Sequence, residues 1–310
     1  MTLSTAKTIR IATRNSPLAL WQAHFVRDRL LAEHSQLTVE IVSMTTKGDQ
    51  ILNRSLSKVG GKGLFMKELE EALLDGRADI AVHSMKDVTV DLPKGLEISC
   101  VCQRETPNDA FVSNVYKSLH DLPKGAVVGT SSLRRRAQLK HHFPQLEIKD
   151  LRGNVNTRLR KLDDGEFDAI ILAAAGLIRL GFDDRIADLI AIEDSLPAVG
   201  QGIVGIEARE SDDIIRQLLK PLNDVESETC IAAERKMNQC LDGGCSVPIA
   251  GFAQLNEGQL SLQGVVGDIE SGDLLYAHSH GDVADATAIG QQVAQQLIDQ
   301  GAKALIAKAR

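Results

Sequence analysis

The sequence predicts an α/β protein of two similar α/β domains followed by a small α+β domain. Three observations carry this. From residue 8 to about residue 220, short apolar strands alternate with helical stretches, a rhythm that builds parallel sheets covered by helices. Two tracts in that region mirror each other: 74–80 and 163–169 each close a helix at a glycine (Gly76, Gly165), pass three residues and enter an apolar strand. After Asn223 the rhythm changes to a helix, three alternating strands and a closing helix.

The elements follow in order. Thr8-Ile9-Arg10-Ile11-Ala12 reads as a strand. Thr13-Arg14-Asn15-Ser16-Pro17 turns into a helix with Ser16 as N-cap and Pro17 at the first helical position. Residues 37–44 form the next strand. The span 47–63 is polar, carries Lys47, Lys58 and Lys62, and ends in Gly60-Gly61-Lys62-Gly63. It reads as a loop and a candidate lid, and not as a Walker loop, because Gly63 stands where a magnesium-binding hydroxyl should follow the lysine. A helix over 65–74 and a strand over 79–82 lead into His83-Ser84-Met85-Lys86-Asp87. Residues 98–102 read as a further strand, and the polar run 103–109 marks a boundary.

The second domain opens with Val127-Val128-Gly129-Thr130 and a helix starting at Ser131 or Ser132. An apolar strand covers 170–175. The turn-rich tract Leu196-Pro197-Ala198-Val199-Gly200-Gln201-Gly202 reads as a hinge before a strand at 203–207. The expected domains are 1–102 with 203–222, 103–202, and 223–310. In the last, a helix over 227–237 and a meander over 250–255, 260–266 and 274–278 precede a helix over 286–298.

Composition bounds the function. A net charge of −7 argues against a nucleic-acid or acidic-membrane partner. Aromatic residues at 3% supply few stacking platforms for single strands. The five cysteines, Cys100, Cys102, Cys230, Cys240 and Cys245, are odd in number and lack small-domain spacing, which points to reduced thiols in the cytoplasm. Cys240 and Cys245 are too far apart for a zinc knuckle, and no metal site is expected. No run is long and apolar enough to span a membrane, and the first residues lack a signal-peptide core.

The chemistry-bearing residues gather at strand ends. Arg14, Lys86, Arg134, Arg135, Arg136, Arg152, Arg158 and Arg179 fall at or near the carboxyl ends of expected strands or in the helices that follow, where open α/β sheets bind ligands. Each alone reads as a solvated charge. Together they fit a polyanionic small molecule, since the guanidinium fork suits carboxylates and phosphates alike. Of the consecutive Arg134-Arg135-Arg136, at least one must face solvent. Asp87 follows an apolar strand and reads either as a turn carboxylate or as a group that accepts ligand N–H groups and moves protons. His83 has no carboxylate at the spacing of a partner and reads as a packed histidine. Cys245, in Leu241-Asp242-Gly243-Gly244-Cys245-Ser246-Val247-Pro248, looks presented rather than packed, because two glycines precede it and Val-Pro stiffens the chain behind.

Taken together the motifs resemble the porphobilinogen deaminase family over nearly the whole chain. The tracts are Arg10-Ile11-Ala12-Thr13-Arg14-Asn15-Ser16-Pro17-Leu18-Ala19, Lys58-Val59-Gly60-Gly61-Lys62-Gly63-Leu64-Phe65, His83-Ser84-Met85-Lys86-Asp87, Gly129-Thr130-Ser131-Ser132-Leu133-Arg134-Arg135, and Leu151-Arg152-Gly153-Asn154-Val155. Ala173-Ala174-Ala175-Gly176-Leu177, the 196–202 tract and Gly243-Gly244-Cys245 complete the set.

The resemblance implies two periplasmic-binding-protein-like α/β domains and a small third domain that carries a dipyrromethane cofactor. It implies a transferase of tetrapyrrole synthesis that joins four porphobilinogen molecules head to tail, with loss of one ammonia from each. Hydrolysis then frees the linear tetrapyrrole hydroxymethylbilane. By the same resemblance Cys245 holds the dipyrromethane through a thioether, and Asp87 contacts pyrrole N–H groups and serves the acid–base steps. Arg14, Lys86, Arg134, Arg135, Arg152, Arg158 and Arg179 are expected to hold cofactor or substrate carboxylates. Ser16, Thr130, Ser131, Ser132 and Gly153 add polar or backbone contacts, and Lys58 and Lys62 belong to the lid. A cytoplasmic monomer is expected, with the growing oligopyrrole as its partner.

Two other classes compete. A two-domain solute-binding module explains the basic residues but gives Cys245 no task, and intact mass separates it from the enzyme. A nucleic-acid or regulatory protein would show salt-dependent binding to oligonucleotides.

Overall fold

The structure is a computed structural model and describes residues 8–50, 63, 65–244 and 247–310. Cys245, Lys58 and Lys62 lie outside the described residues. The chain divides into two compact units. Among the described residues, the first holds those up to 50, those from 63 to 104, and Ile203–Glu228, and the second holds Glu105–Gly202 and those from 229 on.

In chain order the strands are β1 (Thr8–Arg14), β2 (Thr38–Met44), β3 (Ile80–Ser84), β4 (Leu96–Val101), β5 (Asp109–Val112), β6 (Val127–Gly129), β7 (Glu147–Lys149), β8 (Ala169–Ala173), β9 (Asp188–Leu189), β10 (Val204–Arg209), β11 (Ile249–Asn256), β12 (Gln259–Gly267) and β13 (Leu274–Asp282). The helices are α1 (Pro17–Glu33), α2 (Lys47–Gln50), α3 (Lys67–Leu74), α4 (Leu133–His142), α5 (Val155–Asp163), α6 (Ala174–Arg179), α7 (Asp213–Leu219), α8 (Val225–Cys240), α9 (Ala286–Asp299) and α10 (Ala302–Ala309).

The first unit is built on a sheet of order β2-β1-β3-β10-β4. Alternation along the strands divides its two faces. Ile9, Ile11, Ile80, Val82 and Ile206 pack with Ala23, Val26 and Leu30 of α1 and with Ile215, Leu218 and Leu219 of α7. Ala12 and Ala81 point the other way, into a core with Leu69, Ala72 and Leu73 of α3. The second unit repeats the plan with order β7-β6-β8-β5-β9. It adds the antiparallel meander β11-β12-β13, packed through Leu260, Leu262 and Val266 against Ile289, Val293 and Leu297 of α9. The chain is thus a two-sheet α/β protein with a small C-terminal α+β part.

Two expectations are corrected. The β-α-β rhythm predicts parallel sheets, yet both five-stranded sheets are mixed. β10 runs antiparallel between β3 and β4, and β5 runs antiparallel between β8 and β9. Neither strand is entered through a crossover helix, so the rule that keeps such strands parallel does not act on them. The expected loop at 47–63 begins as the short helix α2. Thr46 and Asp49 cap it reciprocally: Asp49 N–H donates to Thr46 Oγ1 at 3.2 Å, and Thr46 N–H donates to Asp49 Oδ2 at 3.2 Å.

Candidate functional site

In the first unit the strand ends converge on one cleft, lined by Arg14 and Ser16 at the β1–α1 turn, Gln22 of α1, Phe65 and Met66 before α3, and His83, Ser84 and Asp87 beyond β3. The chain after β3 makes one tight 3-10 turn, Met85–Asp87. Three contacts fix that corner. Met85 N–H donates to Ile203 O at 3.0 Å, and Gln22 Nε2 donates to Ser84 Oγ at 2.8 Å. Met85, 2% exposed, sits on Gly205 of β10, where a Cβ would lie 2.1 Å from its sulfur. A rigid corner therefore carries Lys86 and half-buried Asp87 at the end of a buried strand.

Ser16 caps α1 as expected, accepting from Ala19 N–H at 3.3 Å. Arg14 is held by two residues that sequence reasoning missed. Its guanidinium forms a forked ion pair with Asp49 and lies 4.2 Å over the Phe65 ring. Burial would raise the Asp49 carboxyl, but hydrogen bonds from Arg14 and Thr46 outweigh it and hold the group below its ordinary value. The reciprocal cap in Thr46-Lys47-Gly48-Asp49 was the available signal.

His83 also gains a partner that local sequence could not show. Its Nε2 lies 2.9 Å from Glu207 Oε2, across the β3–β10 pairing and 124 residues away. Both side chains are buried.

In the second unit Thr130, Ser131 and Ser132 form the turn between β6 and α4. Ser132 N–H donates to Thr130 Oγ1 at 3.2 Å, Ser131 Oγ donates to Leu151 O at 2.8 Å, and Ser132 Oγ caps α4 by accepting from Arg135 N–H. Arg134 and Arg135 turn inward. Their guanidinium groups meet Asp109, whose side chain is fully buried, at 2.9 and 2.7 Å. Ser195 Oγ and Gln201 Nε2 complete the carboxylate's shell at 2.7 and 3.0 Å. Burial alone would raise the Asp109 carboxyl; the two guanidinium groups instead hold it well below the carboxylate range. Asp109 lay in the polar run read as a boundary, and it opens β5. Arg136 is the solvent-facing member of the triplet, paired with Asp150 at 3.0 Å.

Arg152 lies 3.3 Å from Asp150 and is about a third exposed. Gly153 has φ +114°, and a Cβ there would lie 2.7 Å from Thr157 Cγ2. Arg158 Nε donates to Gly153 O at 2.8 Å, and Arg179 Nη2 donates to Gly202 O at 2.6 Å. Before Cys245, Leu241 is buried, Asp242 takes the left-handed φ of 53°, and among the described residues beyond its chain neighbours none has an atom within 4 Å of where a Gly244 Cβ would stand.

Taken separately, each unit offers groups that suit part of a dipyrromethane. Such a group carries carboxylates, which the guanidinium groups match, and pyrrole N–H donors, which the Asp87 carboxylate can accept. No helix among the described residues is long and apolar enough to cross a membrane.

Comparison with known proteins gives two family matches. Residues 9–217 match the model described as porphobilinogen deaminase, dipyromethane cofactor binding domain, and residues 228–299 match porphobilinogen deaminase, C-terminal domain. Similar solved structures include a lipoprotein from Bacillus subtilis, at 16% identity and TM-score 0.44, covering 70% of this chain and 90% of that one. The BvgS VFT2 domain of Bordetella pertussis follows at 17% and 0.43, covering 74% and 91%. A nutrient-binding protein from Burkholderia cenocepacia bound to methionine stands at 15% and 0.43, covering 68% and 90%. Likeness at this level says nothing about what this chain binds.

Proposed function

The chain belongs to the porphobilinogen deaminase family, and on that premise we propose that it is a hydroxymethylbilane synthase. It condenses four porphobilinogen molecules head to tail, expels one ammonia at each condensation, and releases the linear tetrapyrrole by hydrolysis. The division into 1–102 with 203–222, 103–202 and 223–310 belongs to the same proposal, and a separate sheet in each span supports it.

The observation that carries the reading is Asp87 on its fixed corner, in one cleft with Arg14 and Ser16. A carboxylate there accepts pyrrole N–H groups and so orients each incoming ring. It also lies where positive charge develops as the aminomethyl nitrogen departs, and a fixed negative group lowers that barrier. A dipyrromethane joined to Cys245 by a thioether would supply the free pyrrole carbon on which the chain is built. Arg152 and Arg158 would hold its carboxylates, with Lys86 and Arg179 serving the growing chain. Arg14, Arg134 and Arg135 would exchange part of their pairing with Asp49 and Asp109 for ligand carboxylates. Thr130, Ser131, Ser132 and Gly153 would add hydroxyl and backbone contacts, and Lys58 and Lys62 would cover the bound chain.

The test is stoichiometric. Purified protein given porphobilinogen should release four ammonia molecules for each linear tetrapyrrole. Tight binding of porphobilinogen with no ammonia released would overturn the reading in favour of a solute binder.

A further inference from the structure

Behind the corner that carries Asp87, a buried His83–Glu207 pair lies on the α3 face of the first sheet, and Glu70 stands on the helix that covers that face. His83 precedes the corner on β3, Glu207 stands on β10 opposite Ala81, and Glu70 lies on α3, which covers both strands. Glu207 is wholly buried. Its Oε2 takes His83 Nε2 at 2.9 Å, while its Oε1 is buried and finds no hydrogen-bond donor among the described residues. A buried carboxylate oxygen without a donor is costly and calls for a proton from a neighbour. Glu70 is the carboxyl on the helix α3 that covers β3 and β10. Burial first, and then the facing Glu207 carboxylate, push its carboxyl up to about 7, with His83 pulling the other way and Glu71 adding a smaller push. His83 also lines the Asp87 cleft, so one end of this cluster reaches the proposed reaction site.

We propose that the buried His83–Glu207 pair and half-buried Glu70 form a proton relay that receives the proton released at each pyrrole condensation, working behind Asp87. The inference rests on the proposed deaminase function. In each condensation the C–N bond of the aminomethyl group breaks and its electron pair leaves on ammonia. A π pair of the acceptor pyrrole forms the new C–C bond, and that ring carbon loses its hydrogen as a proton. The relay takes the proton when Glu70 is ionised and passes it to solvent past half-buried α3, where the freed ammonia becomes ammonium. Below neutral pH Glu70 already holds a proton and the relay is full. Above it the relay has one vacancy. The other charged groups around His83 are Asp87 and Arg14, which line the same cleft, and Asp49, which is paired with Arg14.

The test combines a pH profile with a spectroscopic reading on the cofactor-loaded protein, each variant being checked by intact mass for its cofactor. In the parent protein kcat/KM for porphobilinogen should rise about tenfold from pH 6 to pH 8, and Glu70→Gln should flatten that rise to about twofold or less. His83→Gln should lower kcat about tenfold with KM unchanged. In parent protein labelled at histidine, the His83 ring nitrogens should report an inflection near pH 7 that Glu70→Gln removes. If the parent shows no such inflection, or if parent and Glu70→Gln give superimposable profiles while both release ammonia, the relay is overturned and the deaminase reading stands. If the parent releases no ammonia at all, the deaminase reading falls and the relay falls with it.

Discussion

Asp109 and Arg135 are joined at 2.7 Å with the carboxylate fully buried, and the same carboxylate takes Arg134 at 2.9 Å. One side chain at the start of β5 thus serves as counterion to two cations at the start of α4, where positive charge opposes the helix dipole. Ser195 and Gln201 bind the same carboxylate, so Asp109 also fastens both ends of the 195–201 tract.

Removing that charge leaves two buried guanidinium groups without a counterion. Asp109→Asn should destabilise the protein by about 3–5 kcal/mol, read as a fall in the urea midpoint. Because the folded carboxyl is depressed, its contribution is complete above the unfolded value of about 4 and is lost progressively as the pH falls from there through the folded value. The difference between parent and variant should therefore be constant from pH 6 to 8 and shrink in acid.

The proposed function gives Asp87 a role in chemistry, and its corner is held by other residues, Met85, Gln22 and Gly205. Asp87→Asn should keep the parent's melting temperature and covalent cofactor mass. Its turnover should fall by about 10²–10⁴ in a stopped-time product assay. A near-normal rate would remove the role.

Gly153 takes a left-handed φ beside Thr157. Gly153→Ala should cost about 1–3 kcal/mol through backbone strain and displace the Arg158 Nε contact with Gly153 O. Thermal unfolding reads the first effect, and the fraction of protein carrying cofactor, by intact mass, reads the second.

Glu70 predicts a stability trend opposite to that of Asp109. Its folded carboxyl is raised to about 7, so the folded state holds a proton that the unfolded state gives up between about pH 4.3 and 7. Stability from this group falls as pH rises through that window. Glu70→Gln should stabilise the protein at pH 8 relative to pH 5 by about 1 kcal/mol, a figure reduced because the side chain is only half-buried and solvent screens it. Paired urea curves at the two pH values check it.

The fold class was legible because its signals are local. Ser16-Pro17 marks the start of α1, Gly76 and Gly165 mark matching helix ends, and alternation marks the meander. Strand direction was not legible, because β10 and β5 enter their sheets without a crossover helix. At the site, Asp87 and Ser16 could be singled out from their place after a strand. The partners of the arginines and of His83 could not. Asp49, Asp109 and Glu207 lie between 25 and 124 residues from the groups they bind. Asp109 and Glu207 are brought to them by sheet pairing, and Asp49 by a two-residue cap that reads as loop. Arg134 and Arg135, which look like exposed ligand hooks, prove to be buried against Asp109.

The central claim is a covalent pyrrole tether at Cys245. Intact-mass measurement of freshly prepared protein tests it most directly. The account predicts that the native chain is heavier than its sequence by two pyrrole units, that Cys245→Ser lacks this increment, and that brief exposure to porphobilinogen adds further single-ring steps. A native chain at its bare sequence mass that gains nothing from porphobilinogen, or an increment that survives Cys245→Ser, would contradict it.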